Sequence, residues 1–449
     1  MTTMLLTTNW AGNVTFGAAR VYRPDSVGEL RRIVAASARI RALGSGHSFS
    51  VVADTADDLV RLDGLPSSVK INTVDSTTVV AAGMRYAEVA AELHRAGYAL
   101  ANMASLPHIS VAGSCATGTH GSGDTLRCLA ASVAALRLVG ADGDLIEVGR
   151  DSDPGTFPGT VVALGALGIV TELTLDIEPA YEMTQRVRLA VPLDEVTGRF
   201  DEVFGAAYSV SAFTDWRSGA ADVWLKSRSD WPATEWAGGR AALHPVHPVP
   251  GMAPEFSTTQ MGLPGPWHER LPHFPPHLTP GAGEELQSEF YLPREVAPAA
   301  FAAIRDLADR IAPVLHIAEI RTVRADDLWL SPAYGQDTVT LHFTWIKDFA
   351  AVLPVLAAVE ERLMPLGARP HWGKLTRLSG PEIIARYPRG TDFALLAAAY
   401  DPTGKFRNAF VESLLPGGPE PVGGPPWGHA TVPPVATSAA ISTGIAADS

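Results

Sequence analysis

Two cysteines in 449 residues, Cys115 and Cys128, are too few for a disulfide framework and stand in neither a CxxC nor a metal-ligand spacing. Both read as small core or loop residues, which suits a reducing cytosol. No stretch approaches the roughly 20 apolar residues that a membrane span requires. The opening MTTMLLTTNWAGN has no basic n-region, so no signal peptide is expected and a cytoplasmic location is. Lys and Arg form no cluster against a net charge of −13, which disfavours nucleic acid and anionic membrane surfaces as partners. A neutral polar small molecule is the better candidate ligand, and the chain is expected to be a monomer. With 46% hydrophobic and 18% charged residues, there is ample material for a large core and two to three domains.

One more absence shapes the reading. Residues 41–50, RALGSGHSFS, follow an apolar run and set Gly44 and Gly46 just before His47. Glycines free the backbone to bring N–H groups against an anion, and Ser45 and Ser48 add hydroxyl donors, so the turn suits a pyrophosphate. The dinucleotide fingerprint, however, needs a third glycine where this chain has Phe49, and a Rossmann turn is disfavoured. On spacing alone an ordinary tight turn, with His47 a satisfied polar residue, is the default reading. A second stretch, residues 105–123 (SLPHISVAGSCATGTHGSG), alternates glycines with small hydroxyl residues and has almost no bulky side chain after Ile109. A large flat cofactor fits such a surface. A third glycine pair lies in residues 164–170, LGALGIV. Three such stations in one region suggest a dinucleotide lying extended across them.

The chain organises accordingly. Ser26 and Glu29 form a capping box for a helix with Leu30, Ile33 and Val34 inward, and residues 40–43 follow as a buried strand. Strand 77–82 and helix 85–95, ended by Gly97, repeat the order. Residues 132–148 read as a hairpin turning at Asp142-Gly143. An α+β nucleotide-binding domain, itself of two subdomains, is expected over residues 1–180. A second domain, built on a mixed or antiparallel sheet flanked by helices, is expected over 181–375. Residues 376–415 form a closing segment, and 416–449, rich in Pro, Gly and Ala, a disordered tail.

Within 181–375, the proline-rich section 244–280 carries His244, His247, His268, His273 and His277. Without acidic or cysteine ligands at suitable spacing, it reads as an ordered covering loop, and no metal site is expected. Strand 315–323 alternates so that Leu315, Ile317, Glu319, Arg321 and Val323 share a face. Strand 338–346 sets Val339, Leu341, Phe343 and Trp345 on one side and Thr338, Thr340, His342 and Thr344 on the other. Charges in mid-sheet cost several kcal/mol unless paired, so Glu319 and Arg321 form either an internal ion pair or a polar binding wall. A helix over 352–366 and the segment RPHWGKLT follow, where Lys374 is by default a surface lysine.

These pieces, together with NWAGN at Asn9, NMASLPHISVAGS at Asn102, EIRTV at Glu319, HFTW at His342 and RPHWGK at Arg369, closely resemble the vanillyl-alcohol-oxidase type of FAD enzymes. Within that group the chain is similar to the bacterial alditol oxidases, with sugar-lactone oxidases as near relatives. The resemblance covers residues 9 to about 415. It implies a covalent bond from His47 to the flavin 8α-methyl group. Double-anchored members carry a cysteine near Ser105, so one link is expected. It further implies that FAD is held by Arg41, Ala42, Leu43, Gly44, Ser45, Gly46 and Ser48, by Ser105, Ser110, Gly113, Thr117, Gly118, Thr119 and His120, and by Ile169.

For catalysis the resemblance implies Lys374 and Arg321 on the reacting hydroxyl, Arg321 lowering the lysine pKa toward the range of a base. Glu319, Thr344, Ser105 and His342 would bind the other hydroxyls of a polyol such as xylitol or sorbitol, oxidised terminally to the aldose. Oxygen would take the electrons as hydrogen peroxide, and Ala104 would lie where its access is set. Spacing does not separate alditol from aldonolactone, nor oxidase from dehydrogenase. A non-catalytic flavin or sugar-binding protein is the remaining reading, against which Glu319, Arg321 and Lys374 together argue.

Overall fold

The computed structural model describes residues 8–230, 236–278 and 283–415; the tail expected over 416–449 lies outside them. Ser26 accepts from Glu29 N–H and so starts the helix Val27–Ala36, while the Glu29 carboxylate reaches Asp25 N–H rather than that of Ser26. Leu30 and Val34 on its inner face are fully buried. The strand Ile40–Leu43 pairs in parallel with Asp58–Arg61, which pairs in turn with Arg20–Tyr22. Next to this small parallel sheet stands an antiparallel one, ordered Val69–Asn72, Thr77–Ala81, Ile169–Asp176, Val133–Val139, Leu145–Gly149. Gly143 takes φ +87° in its hairpin turn, a conformation glycine adopts without steric cost. The two sheets share one core, in which Ile40, Val60, Val89, Leu93, Leu136 and Leu173 meet. They are the two subdomains of the first domain.

The second domain is built on a sheet that, among the described residues, has nine strands, all paired antiparallel. Its centre runs Ser209–Thr214, Leu315–Val323, Thr338–Ile346, Glu285–Pro293. Val339, Leu341, Phe343 and Trp345 point to one side, where the helices Ala297–Arg305 and Phe349–Leu363 close a second core. The latter helix begins a turn earlier than the apolar pattern suggests, because Asp348 caps it through Ala351 N–H, and it ends in a 3-10 turn over Met364–Leu366. Leu315 falls out of register with the rest of its strand at a bulge before Ile317, so the expected common face starts at Ile317.

The opposite face of the sheet is turned toward the glycine-rich stretches. The end of the chain returns to the first domain: Ile40 N–H donates to Lys405 O, and Asn408 Nδ2 reaches the carbonyls of Val51, Val52 and Asp54. The α+β, two-domain class expected from the pattern is therefore the observed one. No helix among the described residues is long and apolar enough to cross a membrane.

Candidate active site

Between the first domain and the face of the large sheet away from its helices lies a cavity of about 480 Å³. The turn of residues 41–50 forms part of its wall, and its shape has a specific cause. Ser45 N–H donates to Ser110 Oγ at 3.3 Å while Ser110 N–H donates to Ser45 Oγ at 3.1 Å, a reciprocal clasp between the first two glycine-rich stretches. A Cβ on Gly44 would collide with Ser110 Oγ, and one on Gly113 would approach the same atom to 2.7 Å. Glycine is what allows the clasp and an open wall together. Gly46, at φ +71°, then turns His47 under the Trp10 ring, stacked at 5.4 Å between centroids.

His47 lines the cavity with a buried Nδ1 that has no hydrogen-bond partner. Burial pushes its pKa down to about 4, with Arg85 and His108 adding to the effect, so the imidazole is neutral and its lone pair free. Ala42, Leu43, Ser48, Ser105, Thr117, Thr119 and His120 line the same cavity. Gly118 and Ile169 do not. The Gly118 carbonyl accepts from the Tyr291 hydroxyl, and the Ile169 side chain is in the core, leaving Gly168 and Val170 on the wall. Arg41 lines the cavity as well. Its guanidinium donates to the carbonyls of Val52, Leu164, Gly165 and Phe406, a clamp with nothing left over for a phosphate except the unpartnered, buried Nε.

The chemistry-bearing groups stand in rows across the sheet. Register sets Glu319 opposite His342 and His342 opposite Glu289; one row on, Arg321 faces Thr340 and Thr340 faces Tyr291; on the other side, Ile317 faces Thr344 and Thr344 faces Gln287. Side chains at such positions point the same way. Arg321 is consequently held between two carboxylates, Glu289 Oε1 at 2.5 Å and Glu319 Oε2 at 3.5 Å. Burial works against ionisation of both acids, but Arg321 and the neighbouring histidines more than offset it and hold both well below the usual carboxylate range. His120 Nε2 lies 3.0 Å from the same Glu289 oxygen, and His342 bonds Thr344 Oγ1 at 3.2 Å.

Lys374 enters from the segment after the two-residue strand Arg369–Pro370. Its ammonium donates to Gln287 Oε1 and sits 5.1 Å from the centroid of the Phe49 ring. Withdrawal from water lowers its pKa to about 8; Arg321 adds to the depression while Glu289 opposes it. The sequence reasoning gave the direction correctly but named the lesser cause.

Glu319, Arg321, His342, Thr344, Lys374 and Ser105 thus all meet in one cavity. Sequence reasoning missed Glu289, Gln287, His371 and His273, which line it as well. The first two had a signal, since Glu285, Gln287 and Glu289 alternate with Leu286, Ser288 and Phe290. The proline-rich section is indeed a cover: Pro248, Val249, His273 and Phe274 form part of the cavity wall. Its histidines are dispersed, and among the described residues no three His, Cys, Asp or Glu side chains gather as a metal site.

A cradle of glycines and serines opening on buried ionised side chains defines a flavin- or nucleotide-dependent oxidoreductase, and the comparisons specify which. Residues 18–149 match the FAD binding domain family, and residues 284–414 match the D-arabinono-1,4-lactone oxidase family. The chain is 51% identical over 416 residues to the alditol oxidase of a Streptomyces species, covering 91% of this chain and 99% of that one. It is 27% identical over 427 residues to the L-gulono-1,4-lactone dehydrogenase of Mycobacterium tuberculosis, over 91% of this chain and 98% of that one. Among solved structures, a solvent-stable cholesterol oxidase superposes with a TM-score of 0.74 at 15% identity, covering 91% and 96% of the two chains. A chitooligosaccharide oxidase superposes with a TM-score of 0.72 at 15% identity, covering 91% and 94%. The last two speak for the fold alone. The protein belongs to the alditol oxidase family of FAD-dependent oxidoreductases.

Proposed function

We propose that this protein is an alditol oxidase that converts the terminal primary alcohol of an open-chain polyol such as xylitol or sorbitol to the aldose. FAD bound in the cavity would supply a hydride acceptor at its N5 and deliver the electrons to oxygen, releasing hydrogen peroxide. The glycine and serine stretches would hold it, and the free Nδ1 of His47 is the atom suited to a single covalent link, because Ser105 offers no second thiol.

The observation that carries the reading is the gathering of Glu319, Arg321, Glu289 and Lys374 on the wall of one cavity. A lysine brought down to about 8 exchanges its proton near neutral pH, which suits it to take the hydroxyl proton of a bound alcohol. Arg321 orients that hydroxyl and stabilises negative charge on its oxygen. Glu319, Thr344, Ser105 and His342 present acceptors and donors to the remaining hydroxyls, and a substrate lacking them would leave these buried groups unpaired. Ala104, small and on the cavity wall, leaves room for oxygen. Two free, buried cysteines suit a cytoplasmic setting.

Anaerobic mixing of the purified holoprotein with xylitol, sorbitol and an aldonolactone tests the proposal. Bleaching of flavin absorbance by the polyols, with peroxide formed in air, is expected. Bleaching by the lactone alone would overturn it.

A further inference from the structure

His273 lies in the proline-rich cover, far from the catalytic strands in sequence, yet its Nε2 sits 3.0 Å from Glu319 Oε1 and 3.3 Å from Ser211 Oγ. Its Nδ1 is buried without a partner, so the single proton of a neutral ring belongs on Nε2, where it is donated to the carboxylate. The ring has little freedom. Phe213 and Trp224 meet it edge to face, at 5.2 and 5.5 Å between centroids. Phe213 is also the register partner of Glu319 on the neighbouring strand.

The backbone is tied as firmly. His273 N–H donates to Ser105 O at 3.0 Å, and its carbonyl accepts from Thr258 N–H at 2.9 Å. Just before it, the buried ammonium of Lys226 donates to Leu271 O at 2.5 Å and Pro272 O at 2.9 Å. A buried lysine is costly, and here it is spent on fixing two carbonyls of the cover. Of the two Glu319 oxygens, one is thereby committed to His273, while the other lies 3.5 Å from Arg321 Nε.

We infer that His273 is a positioning residue that fixes the Glu319 carboxylate for hydroxyl recognition, so that the covering segment, and not the strand alone, sets the enzyme's preference for polyhydroxylated chains. The inference rests on the proposed polyol oxidation. Without the donor, Glu319 can rotate onto Arg321, and its grip on an inner hydroxyl of the substrate is lost. A primary alcohol without inner hydroxyls has nothing to lose by that rotation.

The test compares xylitol with 1,5-pentanediol in wild type, His273→Phe and His273→Gln, reading anaerobic flavin bleaching against substrate concentration. In His273→Phe the preference for xylitol over the diol, as a ratio of kcat/KM, should fall about tenfold or more, mainly through the KM for xylitol. His273→Gln, which keeps a donor, should recover most of it. Should His273→Phe fail to load flavin, His273→Asn carries the same comparison with a donor too short to reach Glu319. An unchanged ratio in a flavin-loaded variant, or equal losses on both substrates, overturns the inference. Failure of the wild type on every polyol would instead overturn the proposed function, so the two failures are distinct.

Discussion

Glu289 accepts from Arg321 Nη2 at 2.5 Å, joining two side chains that lie 32 residues apart in the chain and two strands apart in the sheet. Both are almost completely enclosed. Breaking such a pair costs about 3 to 5 kcal/mol when the remaining charge is uncompensated; without Glu289, Arg321 keeps only the longer 3.5 Å contact to Glu319. Glu289→Leu should therefore lower unfolding free energy by about 3 kcal/mol or more in chemical denaturation. Flavin bleaching by xylitol should slow as Arg321 swings toward Glu319. A variant as stable as wild type would show that Arg321 is neutralised elsewhere.

Lys374 gives a prediction about pH. If its neutral form takes the substrate proton, kcat/KM rises as pH climbs through about 8, because deprotonation creates the active form. Lys374→Gln should abolish this limb and reduce turnover by about 10² to 10⁴. A pH profile in the variant that keeps the same limb would assign the titration to another group.

The proposed link at His47 gives a prediction about where the flavin colour travels. Acid-precipitated wild type should carry its yellow into the pellet, whereas His47→Ala should leave it in the supernatant. Yellow pellets from both would move the attachment to a different residue.

Gly44→Ala drives a methyl group into Ser110 Oγ and should break the clasp with Ser45. Overpacking of this kind costs about 1 to 3 kcal/mol, expected here as weakened flavin loading. Adding Ser110→Ala removes the colliding oxygen, since the next neighbours of the new Cβ are Ser110 Cβ at 3.5 Å and Gly113 Cα at 3.8 Å. The double variant should load flavin better than the single one, as read by absorbance per mole of protein.

Glu360, on the helix Phe349–Leu363, accepts from Thr376 Oγ1 at 2.7 Å and Arg377 N–H at 2.8 Å, just beyond Lys374. Burial raises its pKa from 4.5 to about 7 despite these donors. A carboxyl whose folded pKa exceeds its unfolded value contributes stability that is complete below the unfolded value and lost as pH rises through the folded one. Glu360→Gln keeps an acceptor and cannot ionise. The difference in unfolding free energy between variant and wild type should grow in the variant's favour by about 3 kcal/mol from pH 4.5 to pH 8. A difference that stays flat with pH would mean that Glu360 is ionised throughout.

Much of the site was legible where period and position coincide. Strict alternation in Thr338–Ile346 separates the helix-facing apolar set from His342 and Thr344, and it does so in three dimensions because the strand is central and buried on both sides. The turn of His47 could be read as an open, glycine-shaped wall, whereas the role of His47 came from the family resemblance and not from spacing. Glu289 was legible only as a polar position in an alternating strand, and His273 not at all. The role of Glu289 depends on partners 169 and 32 residues away, His120 from a loop and Arg321 through sheet register. His273 sits among prolines with no period, and its path is fixed by long-range bonds: the Lys226 ammonium on Leu271 O and Pro272 O, and its own backbone to Ser105 and Thr258. Arg41 shows another limit: nothing in the sequence says that its guanidinium is engaged by four backbone carbonyls, from Val52, Leu164, Gly165 and Phe406.

That clamp also has a consequence for biogenesis. Since the strand before His47 leans on the carbonyls of Lys405 and Phe406, and Asn408 secures the loop after it, a nascent polypeptide still short of residue 401 has no finished cradle to offer. Cofactor capture is then expected only once residues 401–415 have been made, and truncations that spare every catalytic side chain but remove those residues should be colourless.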